Sequence, residues 1–136
     1  MIRIVTESMS DFTQEEAKAA DLIVMPLPIR FGMEEYWDDG VSLTQDDFYA
    51  RLRVAKELPK TSQVPVEHYR KCFNRLLENP EDEVLVITGS SKLSGCYQSA
   101  CIAREACHDP ARVTVLDSLN ATCAEYMLVD QALRYR

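Results

Sequence analysis

The sequence runs to 136 residues, 46% of them hydrophobic and 27% charged, the balance of one folded soluble domain rather than a disordered chain. A formal net charge of −7 argues against a nucleic-acid partner, because phosphate binding draws on clustered Lys and Arg. The longest apolar stretches are strand-sized, too short to span a bilayer, so no stable membrane insertion is expected.

In chain order, Ile2 to Thr6 reads as a strand dominated by β-branched residues,. This start lacks the long apolar core of a signal peptide, and the cytoplasm is the default location. A polar loop, Glu7 to Asp11, follows. Thr13 with Glu16 three residues later forms a capping box that predicts a short helix,. Leu22 to Ile29 is extended and apolar, and Pro26 and Pro28 confine it to a sheet edge or to a strand with a break,.

Residues 32 to 43 read as a Gly-bounded acidic loop holding Tyr36 and the single tryptophan, Trp37. The carboxylates Glu34, Glu35, Asp38, Asp39, Asp46 and Asp47 match no metal-binding loop and are expected to form a solvated acidic surface,. Thr44 before Asp46 and Asp47 signals another helix, with Phe48, Leu52 and Ala55 along one face and Pro59 closing it,. Thr61-Ser62-Gln63 comes next. Pro65 then suits a first helical turn, and Val66, Tyr69, Phe73, Leu76 and Leu77 recur at helical spacing,.

Asn79-Pro80 stops that helix, and Glu83 to Thr88 is the strongest strand pattern in the chain. A Gly- and Ser-rich turn feeds a helix from about Gly95 to Ala106. Val113 to Leu116 is the last strand, and Ala121 onward is helical. The pattern is still helical at Arg136 with no glycine cap, so a truncated chain or a short gene product is expected rather than a natural domain end,. Alternating strands and helices imply an α/β fold: an open, mostly parallel sheet with helices on both faces.

The five cysteines, Cys72, Cys96, Cys101, Cys107 and Cys123, include no CxxC pair, and His68 and His108 lack zinc-ligand spacing with them,. They read as reduced, small core residues, and no metal or other cofactor is expected.

In an open parallel sheet, ligands bind beyond the carboxyl ends of the strands. Hydroxyl-rich turns fall there: Thr6 to Ser10, Thr88 to Ser91, Asp117 to Asn120, and the Thr61-Ser62-Gln63 segment before a helix. The turn after Thr88 is the sharpest. A strand, Gly-Ser-Ser and then a helix should present free backbone N–H groups and a positive dipole end, a ready anion site. The same serines equally suit simple helix capping. Neither Gly-x-Ser-x-Gly nor Ser-x-x-Lys is present and no P-loop pattern closes the turn, so catalysis is disfavoured,.

Taken together the motifs resemble the DegV family of bacterial fatty-acid-binding proteins. The resemblance rests on Ile4-Val5-Thr6-Glu7-Ser8 with Asp11, Pro26-Leu27, Tyr36 with Asp39-Gly40, and Thr61-Ser62-Gln63. It continues through Ser90-Ser91-Lys92-Leu93-Ser94-Gly95-Cys96-Tyr97-Gln98-Ser99-Ala100 and Val115-Leu116-Asp117-Ser118, covering essentially the whole chain in order. It implies a two-lobed α/β protein enclosing one long-chain fatty acid, with residues 1–136 as the N-terminal lobe and the C-terminal lobe absent.

Carried over residue by residue, the carboxylate falls to Thr61, Ser62 and Ser94 with Ser91 nearby, and Gln63, Lys92 and Cys96 stand behind them. Family members present the fatty acid to a separate fatty-acid kinase, which makes the binding protein a carrier and not an enzyme. Three positions depart from the pattern: Glu7 for the usual aspartate, Lys92 for glycine and Cys96 for threonine. Lys92 is expected to impede a positive φ or to place a cation near the head group. A helix N-terminus lowers a thiol's pKa, so reactivity at Cys96 is weighed against simple packing, the stronger expectation. With half the apolar tunnel missing, this lobe alone is expected to bind lipid weakly or not at all. The alternatives are a binder or enzyme for a small phosphorylated metabolite using the same Ser-rich turn, or an interaction domain docking through its acidic loop.

Overall fold

The computed structural model describes the chain from Met1 to Arg136. Its first strand, β1 (Ile2–Glu7), alternates between two faces, so Ile4 enters one apolar cluster and Val5 another,. After a 3-10 turn at Ser8–Ser10, Thr13 caps α1 (Gln14–Ala19) with the reciprocal bonds to Glu16 that its spacing predicted,. β2 (Ile23–Met25) then pairs in parallel with β1, Val5 opposite Ile23.

The chain leaves this sheet at Pro26 and Pro28, which have no N–H to donate to a ladder. The one amide between them, Leu27, donates instead to Ser8 Oγ at 3.2 Å. β3 (Pro28–Phe31) therefore opens a second sheet. Gly32, at φ 59°, takes the first position of a two-residue turn into β4 (Glu34–Trp37),. The expected acidic loop over residues 32 to 43 is thus half strand. Tyr36 and Trp37 are half-buried while Glu34 and Glu35 face solvent, and the acidic residues masked a pairing signal carried by the aromatic ones. Thr44 caps α2 (Gln45–Val54), and β5 (Lys60–Thr61) completes the small sheet in the order β4-β3-β5, antiparallel throughout. Thr61, expected in a turn, is therefore a strand residue paired with Ile29.

α3 (Val66–Leu76) buries Tyr69, Cys72, Phe73 and Leu76. β6 (Glu83–Thr88) pairs in parallel with β1, α4 (Cys96–Glu105) crosses over, and β7 (Val113–Asp117) pairs in parallel with β6. α5 (Thr122–Tyr135) ends the chain. The main sheet has the order β2-β1-β6-β7 and is wholly parallel. Its α3/α4 face holds the larger cluster, around Val5, Tyr69, Phe73 and Val86. The α1/α5 face holds Ile4, Phe12, Leu22, Ile87 and Val129. No helix is long and apolar enough to cross a membrane.

Candidate functional site

All four parallel strands end on the same side, so the loops after β1, β6 and β7 meet there with the segment after β5,. At the turn after β6 the amides of residues 89 to 94 are already engaged, so fewer free N–H groups remain than expected, while those of Gly95, Tyr97 and Gln98 at the start of α4 donate to no protein acceptor. Gly89 N–H donates to Glu7 Oε1 at 2.6 Å, Ser90 to Asn120 O at 2.7 Å and Ser91 to Asp117 Oδ1 at 3.1 Å. Lys92 donates to Ser90 Oγ at 3.2 Å, and Leu93 and Ser94 both donate to Ser90 O. Ser94 Oγ accepts from Cys96 N–H at 3.2 Å, taking one first-turn amide of α4. Segments distant in sequence supply the acceptors for Gly89, Ser90 and Ser91, which four-residue motifs cannot reveal. What the turn offers a ligand is the open amides at the start of α4 together with side-chain chemistry: the hydroxyls of exposed Ser91 and half-buried Ser94, and the exposed Lys92.

The structure brings the Thr61-Ser62-Gln63 segment against this turn. A Cβ built on Gly95 would sit 2.9 Å from Gln63 Cδ, so glycine there permits the approach of the two segments,. One residue on, Val64 N–H points at Cys96 Sγ, 3.5 Å away. Thr61, Ser62 and Gln63 are all exposed. Ser91 and Lys92 lie at the far end of the turn, next to Asp117, whose carboxyl the Ser91 and Leu119 bonds hold below its ordinary range despite opposing desolvation. Lys92 lies outside the left-handed region, so the expected conflict with a positive φ does not arise. Cys96 is fully buried, and burial first and the nearby Glu7 second push its thiol up rather than down. Packing, not reactivity, is its role.

A groove of about 590 Å³ opens beside Thr61, between the two sheets and α2. Its buried lining is apolar: Phe12, Ile29 and Leu43. Asp11, Asp38 and Asp39 stand at its rim. Desolvation raises the Asp38 carboxyl above its usual range, with the charges of Asp11 and Asp39 adding and the Ser8 hydroxyl opposing. That rim repels an anion, whereas the Thr61 edge presents an uncharged hydroxyl. The acidic segment is thus partly a wall of the groove and not merely a solvated surface.

Sequence reasoning missed two features around the turn. The loop from β7 to α5 holds Leu119 at φ 55°, and α5 opens on Thr122 at φ 51°, a conformation unusual for both residue types. Two short bonds across Ser118 and Asn120, and Asp117 Oδ1 accepting from Leu119 N–H at 2.9 Å, keep it in place beneath Ser90. The second feature is a pair of fully buried carboxylates, Glu7 and Glu125. Glu7 stands out in the sequence only as a departure from the family's usual aspartate and Glu125 reads as an ordinary helix acid, so nothing local marks their burial or their proximity. His68 packs its ring 5.0 Å from that of Trp37, fastening the small sheet to α3.

A family model described as "Uncharacterised protein, DegV family" matches residues 1–136. A DegV domain-containing protein of Caldanaerobacter subterraneus subsp. tengcongensis is 39% identical over 133 residues, which cover 98% of this chain and 46% of that protein. A fatty acid-binding protein of Thermotoga maritima is 35% identical over 130 residues, covering 90% of this chain and 42% of that one. Among solved structures, a stearic acid-binding protein from Eubacterium ventriosum superposes with a TM-score of 0.90 at 32% identity, over 98% of this chain and 47% of that chain. The chain spans about half the length of the curated relatives it matches.

Proposed function

The chain belongs to the DegV family, and on that premise we propose that it is a binding lobe for a long-chain fatty acid, acting as a carrier and not as a catalyst. Thr61, Ser62 and Ser94 hold the carboxylate, Ser91 and Lys92 stand at the outer end of the same turn, and Gln63 and Cys96 set the spacing between the two segments. The observation that carries the reading is Thr61 itself: it lies on the edge of a groove floored by Phe12, Ile29 and Leu43. An amphiphile fits such a place, with its polar end at a hydroxyl and its chain on apolar side chains. The acidic rim favours the orientation that keeps the carboxylate at the Thr61 end. Hydroxyl donors suit a carrier, since a neutral clamp grips a carboxylate less tightly than an ion pair.

Residues 1–136 on this reading form the N-terminal half of the binding unit, and the bound carboxylate is presented to a separate fatty-acid kinase. The relatives described as fatty-acid binders support the ligand class.

Native mass spectrometry of protein purified from cells, followed by oleate titration, tests the ligand. Weak, saturable oleate binding is expected. The pair Thr61→Val and Ser94→Ala should weaken oleate binding about tenfold or more, the loss of one or two hydrogen bonds to a charged group. A co-purified phosphorylated metabolite, or oleate binding untouched by both substitutions, overturns the assignment.

A further inference from the structure

Glu7 and Glu125 reach the same point from opposite faces of the main sheet. Glu7 closes β1, and its neighbours Tyr69 and Cys96 belong to the α3/α4 side. Glu125 lies in the first turn of α5 and accepts from Thr6 Oγ1 at 3.1 Å. Gly89 sits between them. A Cβ there would be 3.1 Å from Glu7 Oε1 and 3.1 Å from Glu125 Oε2. Both residues are fully buried, and one oxygen of each, Oε2, has no hydrogen-bond partner.

The titratable groups facing the pair are Tyr69 from α3, Cys96 from α4 and Asp11 beyond the 3-10 turn. None is a cation. Two carboxylates buried together without a counter-charge do not both ionise readily, because each ion is stripped of water and repelled by the other. Desolvation pushes Glu7 up to about 7. It pushes Glu125 to about 8, with the Glu7 charge the next contributor. A proton kept by the pair also gives one orphaned oxygen a hydrogen to donate.

We propose that Glu7 and Glu125 share a proton at neutral pH and, as a pair, position the turn from Gly89 to Gly95 that the preceding section assigns to the ligand head group. The link is direct: Glu7 Oε1, which flanks Gly89 opposite Glu125 Oε2, also accepts the Gly89 amide, the first of the turn. When the last shared proton passes to solvent, repulsion drives the carboxylates apart and the Gly89 bond with them. On the fatty-acid reading, on which this consequence rests, affinity for the carboxylate then falls.

The amides of Gly89 and Ser90, followed by ¹⁵N NMR in the ligand-free chain from about pH 5.5 to about 9, test the pair. A chemical-shift step centred near neutrality or above is expected, well beyond the ordinary carboxylate range. Glu125→Gln should reduce or abolish it. Thr6→Val, nearly isosteric, removes the hydroxyl bond that favours the ionised Glu125 and should move the step upward in pH while leaving the fold intact. No step at Gly89 in this range, or a step unchanged in both variants, overturns the proposal. Oleate titration across the same pH range separates the two claims. A Gly89 step with no oleate binding at any pH sinks the lipid reading and leaves the pair standing. Oleate binding without a Gly89 step does the reverse.

Discussion

Leu119 holds a left-handed backbone with its side chain 66% exposed, so it gains little from burial to offset the strain,. Asn adopts this conformation at lower cost and without glycine's added entropy in the unfolded chain. Leu119→Asn should therefore stabilise the protein by about 0.5–1 kcal/mol, read as a higher urea midpoint at unchanged slope. Glu7 and Glu125 leave a different mark on stability. Their folded-state values, about 7 and about 8, lie above the ordinary value of 4.5. Between those limits the folded chain binds more protons than the unfolded one, so stability falls as pH rises. Urea unfolding should thus show a loss of several kcal/mol from about pH 5 to about pH 8, levelling above it. Glu16, Glu34, Glu67 and Asp117, whose values are lowered, lose their contributions only as pH falls through the acid range. The slope between pH 5 and pH 8 therefore belongs chiefly to the buried pair. A flat or rising profile there contradicts its shared proton. Their burial beside one another was not legible in the sequence, because burial by a distant helix is not a property of the neighbouring letters.

Among the elements, α2 stands apart. It has no fully buried residue, whereas α3 of similar length buries Tyr69, Cys72, Phe73 and Leu76. Its attachment is lateral: Phe48 against Phe31 edge-on at 5.7 Å, and Arg51 bonded to Glu34 at 2.9 Å while lying 4.7 Å over the Tyr36 ring. Both Arg51 contacts are exposed, and such contacts contribute about 1 kcal/mol or less each. Amides of α2 should exchange with deuterium far faster than those of α3, by local opening rather than global unfolding. Arg51→Ala should speed α2 exchange several-fold further and leave α3 unchanged. Equal protection of the two helices would show that α2 is held by more than these contacts. The helix starts were readable, since Thr13 and Thr44 both cap as their spacing required. The strand Glu34–Trp37 was not, because each of its two faces pairs an exposed glutamate with a half-buried aromatic residue, which erases the apolar-polar alternation,. The transfer of the chain to a second sheet was foreshadowed only as a break at Pro26 and Pro28.

For the whole molecule, the parallel sheet and its flanking helices followed from alternating periodicity, and the meeting of the Thr61 segment with the Ser94 turn from the family resemblance. The small antiparallel sheet and the groove it shapes did not, because both arise from long-range pairing of short, polar strands,. The groove sets the last expectation. Its floor is buried, but Thr44, Gln45, Tyr49 and Thr61 along its lining are exposed, so an acyl chain lying in it keeps one side in water. Each CH₂ fully removed from water contributes about 0.8 kcal/mol, and a half-covered chain gains roughly half of that per group. Over a dozen or more methylenes the shortfall is several kcal/mol, which is about a hundredfold or more in affinity. Calorimetry should therefore find oleate binding to residues 1–136 at least about a hundredfold weaker than to the Thermotoga maritima fatty acid-binding protein, of which the matched region makes up 42%,. Equal affinity would mean that the groove closes over the ligand by itself, and α2, the one wall without a buried anchor, is the element that would have to move.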